Sequence, residues 1–154
     1  MRILDLLSPD RVVADLAARD KDQLLGRLAE MLDPAPESSG ALLASLRQRE
    51  KLGSTGLGYG IAIPHGRSAV LGEAVAAFAR LVQPLDFDAL DGQPVDLVFA
   101  LVVPEHFTHQ HLMFLAELAE LFSDTALVLE LRTAPSSEAL YRVLAGAAAQ
   151  NAVA

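Results

Sequence analysis

The fold of this chain is decided by residues 95–104, which read VDLVFALVVP. From Leu97 to Val103 this stretch contains no polar residue, although it has the length of a single strand. A strand with one solvent-facing side would alternate apolar and polar residues, so an unbroken apolar run indicates a strand covered on both faces. We therefore predict a sheet with helices packed against both of its sides.

The surrounding segments supply the rest of this architecture. Apolar runs and alternating patterns predict further strands at residues 11–16, 61–63 and 74–82. Helical periodicity and capping residues predict helices at residues 21–32, from Ser38 or Ser39 to about Glu50, at 109–122, at 125–132, and from Ser136 or Ser137 to about Ala149. The predicted fold class is α/β, with one domain over residues 1–154 in which a mixed sheet forms a sandwich with helices on both faces.

The composition indicates a small cytoplasmic protein that works with other proteins. The 154 residues are 52% hydrophobic, which is ample for the core of one domain, and the chain has no cysteine for disulfides. A formal charge of −8 disfavours binding to nucleic acid or to an anionic membrane and favours a protein partner with a basic or mixed face. Asp5 interrupts the N-terminus too early for a secretory signal, and the apolar runs are too short for stable membrane insertion.

Residues 49–66, which read REKLGSTGLGYGIAIPHG, present a histidine at the end of a short strand. Pro64 fixes φ and cannot donate to a ladder, so the strand is predicted to stop where His65 begins. Gly66 has no side chain, which would leave room for an anion or a partner surface beside an accessible imidazole. A neutral imidazole nitrogen attacks phosphorus well when a hydrogen bond fixes the other nitrogen, so His65 is a candidate nucleophile. The alternative is a Pro-His-Gly turn that simply ends a strand.

The glycine-rich loop before His65 offers donors that suit phosphate oxygens. Ser54 and Thr55 bring hydroxyls, and the glycines around them expose backbone N–H groups. The loop is not a Walker loop, because no Lys-Ser or Lys-Thr follows it, and it is not a dinucleotide fingerprint, because Pro64 prevents a following helix. The alternative is a helix that ends at Gly53 and is followed by a flexible turn.

His111 is predicted to lie in the first turn of the helix that starts near residue 109, with Thr108 as a plausible N-cap. The partial positive charge of a helix start favours a phosphoryl oxyanion and disfavours protonation of the imidazole. His111 could therefore act as a neutral hydrogen-bond donor. The alternative is a histidine that faces solvent.

His106, His109 and His111 together raise a metal hypothesis. Zinc would need these imidazoles and a further ligand such as Glu105, since the chain has no cysteine. The spacing matches no standard ligand motif, so no metal or other cofactor is expected. A histidine-rich, metal-dependent hydrolase remains a remote alternative that requires stoichiometric zinc.

Residues 49–66, residues 87–104 and the pair His111-Leu112 together resemble the fructose/mannitol-type IIA domains of the bacterial phosphoenolpyruvate-dependent phosphotransferase system. Among these, the nitrogen-regulatory IIA proteins are the most similar. The resemblance covers nearly the whole chain in order, including residues 4–7 and Lys21, and its Ile-Pro-His-Gly core is specific. Tyr59 departs from it, because many relatives carry a small amide residue between these two glycines.

The resemblance implies a phosphohistidine carrier, which is a phosphotransferase component and not a self-contained enzyme. His65 would accept the phosphoryl group on Nε2, His111 would be the second active-site histidine, and Arg49 with the hydroxyls of Ser54 and Thr55 would line the pocket. The implied donor is a histidine-containing phosphocarrier protein, with phosphoenolpyruvate as the ultimate source. The implied acceptor is a IIB component or a regulated target. A nitrogen-regulatory role is favoured over the alternatives, which are fructose/mannitol-type sugar uptake and a binding module that is never phosphorylated.

Overall fold

The computed structural model describes the backbone of residues 2–153 and the side chains of residues 2–148. Its strands are β1 (Val12–Leu16), β2 (Gly56–Gly58), β3 (Ile61–Ala62), β4 (His65–Ser68), β5 (Val75–Leu85) and β6 (Val95–Pro104). Its helices are α1 (Lys21–Leu32), α2 (Pro36–Lys51), α3 (His109–Leu121), α4 (Thr125–Thr133) and α5 (Ser137–Val153), preceded by short 3-10 helices at Ile3–Leu6 and Pro9–Arg11. None of the helices in this described part has the length and apolar content needed to cross a bilayer.

The six strands form one mixed sheet, as predicted. Its order is β1-β5-β6-β3-β2, and β4 also pairs with β6. The long central pair β5–β6 is antiparallel, whereas β3 and β4 both run parallel to β6. Ile61 of β3 lies opposite Leu97 and His65 of β4 lies opposite Leu101, so β3 and β4 follow one another along the same side of β6.

The predicted double coverage of β6 is confirmed, because its side chains divide between two separate cores. Leu97, Phe99 and Leu101 are buried in a core with α3, α4 and α5, where Phe99 meets Phe122 edge-on. The intervening side chains of β6 are buried on the other face against α1 and α2. An apolar run with no polar residue therefore arises because each face of the strand has its own helical layer.

The structure corrects one predicted helix start and one predicted N-cap. Helix α2 begins at Pro36 and not at Ser38 or Ser39, because proline at the first helical position has its φ already set and has no N–H to leave unpaired. Helix α3 begins at His109 as predicted, but Thr108 makes no side-chain capping bond and itself has helical dihedral angles. The capping role assigned to Thr108 is therefore wrong.

The strand that contains Ile61 does end before His65, at Ala62, but the prediction that Pro64 prevents further pairing is wrong. Pro64 interrupts the ladder only locally. Its own carbonyl accepts a hydrogen bond from the Leu101 backbone N–H at 3.0 Å. His65 then opens β4. The sequence of β4 has no strand-like alternation, and the backbone of β6 supplies the pairing that the local sequence does not indicate.

Candidate active site

His65 lies at the first position of β4 with both ring nitrogens engaged. Its Nδ1 lies 2.7 Å from the Ile63 carbonyl oxygen, and its Nε2 lies 3.2 Å from Nε of Arg49. A carbonyl oxygen can only accept and a guanidinium N–H can only donate. Nδ1 must therefore carry the proton, and Nε2 must hold the free lone pair.

The predicted open space beside His65 is absent from this structure. The His65 residue is only 7% exposed, and Arg49 covers its Nε2. Gly66 does not make room for a ligand either, because a Cβ there would lie 3.1 Å from the Ser45 Cβ of α2. The missing side chain lets α2 approach β4 closely, and the Ser45 hydroxyl reinforces this contact by donating to the Arg67 carbonyl at 2.9 Å.

Arg49 bridges His65 and the turn that follows α2. While its Nε donates to the imidazole, its Nη1 donates to the Gly53 carbonyl at 2.8 Å. Gly53 has a φ of 152° and is the second residue after α2, where its carbonyl anchors the guanidinium. The sequence-predicted pair of Arg49 and His65 is thus brought together at the C-terminal end of α2.

His111 faces His65 from the first turn of α3. The two ring centroids are 5.4 Å apart and the ring planes are tilted by 49°. Among the residues that the structure describes, His111 Nδ1 is a buried polar atom without a hydrogen-bond partner. Such an orphaned nitrogen beside a nucleophile can pair with a group that enters the site.

Both imidazoles are held neutral. Burial lowers the pKa of His65 from its ordinary value, and this is the largest influence. The hydrogen bond to the Ile63 carbonyl raises the pKa, the charge of Arg49 lowers it, and the charge of Glu50 raises it. Burial also lowers the pKa of His111 to about 4, helped by His65 and Arg67. A neutral His65 with its lone pair on Nε2 is the form that can act as a nucleophile.

Ser54 and Thr55 lie in the same region, but their hydroxyls are engaged within the chain. Ser54 Oγ donates to the Phe87 carbonyl, and Thr55 Oγ1 donates to the Glu50 carboxylate. The Thr55 backbone N–H also donates to Glu50, with 3.3 Å between nitrogen and Oε2. Direct donation from either hydroxyl to a phosphoryl group stays a prediction, and it would require exchange of these bonds.

The glycine loop is more ordered than a flexible turn. Gly56–Gly58 forms β2, which pairs antiparallel with β3. Tyr59 has a φ of 57°, which is uncommon for a residue with a side chain, and its N–H donates to Asp91 Oδ2 at 2.8 Å while its carbonyl accepts from Arg132. The Tyr59 side chain is exposed, so the departure from the family pattern places an aromatic ring on the surface.

Sequence reasoning missed the role of two charged residues beside the site. Glu50 has a buried carboxylate that pairs with Lys21 Nζ at 2.7 Å. Lys21 starts α1 and Glu50 lies near the end of α2, so nothing in the local sequence indicates that they meet. The sequence feature that could have identified them is that both residues fall within the segments that resemble the IIA domains.

The histidine cluster does not assemble as a metal site. Within the described residues, no three His, Cys, Asp or Glu side chains are placed so that they could hold a metal ion. The His106 ring packs edge-on against Phe107, with centroids 4.9 Å apart, while His111 turns toward His65. The imidazoles of His106 and His111 therefore have different surroundings.

Comparison with known proteins decides the family. Residues 5–147 match the family model described as "Phosphoenolpyruvate-dependent sugar phosphotransferase system, EIIA 2". The chain belongs to this family. A nitrogen regulatory protein of Bradyrhizobium diazoefficiens is 42% identical over 146 residues, which cover 94% of this chain and 95% of the relative.

Solved structures of other IIA proteins confirm the α/β fold. The nitrogen regulatory protein IIA-Ntr from Neisseria meningitidis has a TM-score of 0.85 and 40% identity, covering 92% of this chain and 98% of that chain. Mannitol enzyme IIA from Escherichia coli, solved in complex with phosphorylated mannitol enzyme IIB, has a TM-score of 0.74 and 21% identity, covering 91% of this chain and 97% of that chain. At this lower identity the second likeness is one of fold alone.

We expect Gly66→Ala to destabilise this IIA domain by about 1–2 kcal/mol, because the added methyl presses on Ser45 and α2 must shift away from β4. The shift would lengthen the contact between Arg49 and His65. Urea unfolding measures the loss. Gly26→Ala is the control, because a Cβ there meets nothing within 4 Å and alanine in α1 should stabilise by about 0.5–1 kcal/mol. An equal gain in stability for both variants would contradict the close approach of α2.

We also expect this IIA domain to lose stability as the pH falls from about 6.5 toward 4. The pKa of His111 is lower in the folded state than its ordinary value of 6.5, so the unfolded chain binds more protons over this interval. The contribution is fully present above the unfolded pKa and disappears as the pH falls through the folded one. Urea unfolding at several pH values measures the slope. His111→Gln should reduce it, and an unchanged slope would contradict the burial of a neutral His111.

Proposed function

We propose that this chain is a phosphoryl carrier that accepts a phosphoryl group on Nε2 of His65 from a histidine-containing phosphocarrier protein. The observation that carries the proposal is the pair of contacts on the ring: Nδ1 lies 2.7 Å from the Ile63 carbonyl and Nε2 accepts from Arg49. Together they select a single tautomer with a nucleophilic Nε2. Membership in the EIIA family supports the same role.

In the transfer step, Nε2 of His65 attacks the phosphorus of the donor's phosphohistidine in line. A bond forms between Nε2 and phosphorus, the donor's nitrogen–phosphorus bond breaks, and its electron pair returns to the donor imidazole. The Nδ1 proton stays on His65, where the Ile63 carbonyl stabilises the positive charge that the ring acquires. The carbonyl therefore supports both the nucleophile and its phosphorylated product.

Arg49 and His111 stabilise the group in transit. Arg49 must release Nε2 before the attack, and its guanidinium then lies beside the new bond, where it can donate to phosphoryl oxygens. His111, with a ring 5.4 Å from that of His65, supplies an N–H from the other side. We propose that Ser54 and Thr55 shape the pocket and donate to the phosphoryl group only after they leave Phe87 and Glu50.

The donor would dock on an apolar surface around the site. Leu52 lies just after Arg49 and is 82% exposed, and Leu112 lies beside His111 and is 63% exposed. Apolar side chains on both sides of a reactive pair suit a partner that must exclude water from the transfer. The net charge of −8 favours a partner with basic residues around its own apolar contacts.

The relatives favour a regulatory role, and we propose that the chain exercises it in the cytoplasm. The chain matches proteins named for nitrogen regulation over nearly their whole length. We propose that it acts as a single IIA domain over residues 1–154 and passes its phosphoryl group to a IIB component or uses it to control regulated target proteins. Sugar uptake is the second candidate, which the description of the family itself favours.

The test is reconstitution with phosphoenolpyruvate, magnesium and the two general phosphotransferase proteins of the source organism. The expected result is one acid-labile, alkali-stable phosphoryl group per chain, formed in the presence of a chelator specific for zinc. The proposal would be overturned if the chain stayed unlabelled with donors that do phosphorylate another cognate protein. Zinc-dependent hydrolysis would favour the alternative of a histidine-rich, metal-dependent hydrolase. Transfer onward to a fructose or mannitol IIB protein would favour sugar uptake.

A further inference from the structure

A buried ion pair next to His65 has no part in the transfer step described above. Lys21 Nζ lies 2.7 Å from Glu50 Oε2, and the side chains of Lys21 and Glu50 are 23% and 6% exposed. Lys21 Nζ also lies 3.5 Å from the Phe87 carbonyl oxygen and 4.8 Å from the centroid of the Phe87 ring. A carboxylate this buried is costly unless its surroundings compensate it, so Lys21 fills a necessary role there.

The ion pair is connected to the His65 ring by consecutive hydrogen bonds. Glu50 accepts from both the hydroxyl and the backbone N–H of Thr55. The Thr55 carbonyl accepts from the Ile63 N–H at 3.0 Å, and the Ile63 carbonyl lies 2.7 Å from His65 Nδ1. The backbone of Ile63 is thus held at its N–H by the loop that Glu50 anchors, and its carbonyl holds the imidazole.

The same carboxylate also influences the charge of the site. Glu50 favours the protonated form of His65, whereas Arg49 from the same helix disfavours it. His111 faces the ring from α3, and Arg67 of β4 lies close enough to help lower the pKa of His111. An uncompensated anion at Glu50 would repel an incoming phosphoryl group, and Lys21 supplies the compensating charge.

We propose that Lys21 is a positioning residue for phosphoryl acceptance: through Glu50 and Thr55 it holds the Ile63 carbonyl that orients His65, and it neutralises the carboxylate that faces the site. This inference rests on the proposed function. Lys21 itself touches neither the imidazole nor the arriving phosphoryl group. Its contribution is transmitted from α1 through the end of α2 to the start of β4.

The chain offers a matched control on the same two helices. Arg47 of α2 pairs with Asp22 of α1 through Nε and Oδ1 at 2.8 Å, but both side chains are largely exposed. Lys21→Met removes the buried cation and Arg47→Met removes the exposed one. Lys21→Arg keeps the charge, and the double variant Lys21→Met with Glu50→Gln removes both charges of the buried pair while leaving an oxygen to accept from Thr55.

Two readouts separate positioning from simple destabilisation. The first is the transfer rate from the phosphocarrier protein, resolved into kcat and KM. The second is the ¹⁵N NMR titration of the His65 ring in the unphosphorylated protein, which reports its tautomer and the pH midpoint of its protonation. Thermal unfolding of each variant is measured alongside, so that loss of fold is recognised.

We expect Lys21→Met to lower kcat roughly tenfold or more with little change in KM, because small displacements of a reacting group are costly while the docking surface is intact. The His65 titration midpoint should rise by about half a pH unit or more, because the Glu50 carboxylate is no longer compensated. Arg47→Met should change neither quantity. Lys21→Arg should recover most of kcat, and the double variant should return the midpoint toward that of the wild type.

The outcomes that contradict this inference differ from those that contradict the proposed function. Wild type that is labelled normally, together with a Lys21→Met variant whose kcat and titration match those of Arg47→Met, would overturn the positioning role alone. A double variant whose midpoint stays as high as that of Lys21→Met would overturn the electrostatic part. Wild type that is never labelled would overturn the proposed function, whatever the titrations show.

Discussion

His65→Gln is expected to abolish acid-labile phosphorylation of this chain completely. The side chain is buried and lies with Nδ1 on the Ile63 carbonyl and Nε2 toward Arg49, so no other described side chain presents the same nucleophile at this position. Glutamine retains most of the volume and an amide N–H but has no nucleophilic nitrogen. Labelling with phosphoenolpyruvate and the general phosphotransferase proteins, followed by mass spectrometry of the intact chain, measures the loss.

Two further variants test whether the loss of phosphorylation is specific to His65. His106→Ala removes an exposed imidazole outside the site and should be labelled like the wild type. His111→Ala should still be labelled on His65, but more slowly, because the attachment nitrogen remains and a stabilising N–H is gone. If His65→Gln were labelled to the same extent as the wild type, the phosphoryl group would have to be on another residue. That result would contradict the assignment of His65 Nε2 as the attachment point.

Arg49→Met is expected to slow phosphoryl transfer by roughly 100-fold, which is typical for the loss of one preorganised donor at developing negative charge. The guanidinium lies 3.2 Å from Nε2 and is anchored by Gly53, so after its Nε releases Nε2 it is still held beside the arriving phosphoryl group. Arg49→Lys should recover only part of the rate, because an ammonium cannot reproduce the two donor directions of the planar group. Rapid-quench labelling with the phosphorylated donor measures the rate.

The control for this variant is Lys51→Met, which removes one positive charge from the same end of α2 at an exposed position. It should leave the transfer rate within about twofold of the wild type, because salt screens the charge of an exposed side chain that does not contact His65. Similar losses for Arg49→Met and Lys51→Met would mean that net charge, rather than the contact with His65, governs the rate. A rate for Arg49→Lys equal to that of the wild type would show that geometry at this position is unimportant.

Much of the fold could be predicted because its signals are local. The apolar run of residues 95–104 predicted a strand covered on both faces, and the two cores on either side of β6 confirm it. Helix α1 was predicted with the bounds that the structure shows, because apolar residues recur with helical spacing from Leu24 to Leu32, and the structure shows Asp20 as its N-cap. The start of α2 was missed because two serines offered a familiar cap, while Pro36 made an earlier start favourable.

The candidate site was predicted less completely, because its geometry depends on contacts between distant segments. The residue types of the IIA motif identified His65, Arg49 and His111, and the structure brings their side chains together. The predicted exposure of His65 was wrong, since Gly66 admits the backbone of α2 instead of a ligand. No local pattern could indicate this, because a missing Cβ is equally compatible with open space and with a close neighbour.

The sequence by itself determined the layers of the fold and selected His65 as the candidate nucleophile, because apolar periodicity and a specific motif are properties of adjacent residues. Only the tertiary structure decided which nitrogen of His65 is free, how Arg49 covers it, and that Lys21 neutralises the buried Glu50. These features depend on the directions and distances of groups that are far apart along the chain. Such distances are set when α1, α2 and α3 pack onto the sheet, and the order of the residues alone does not contain them.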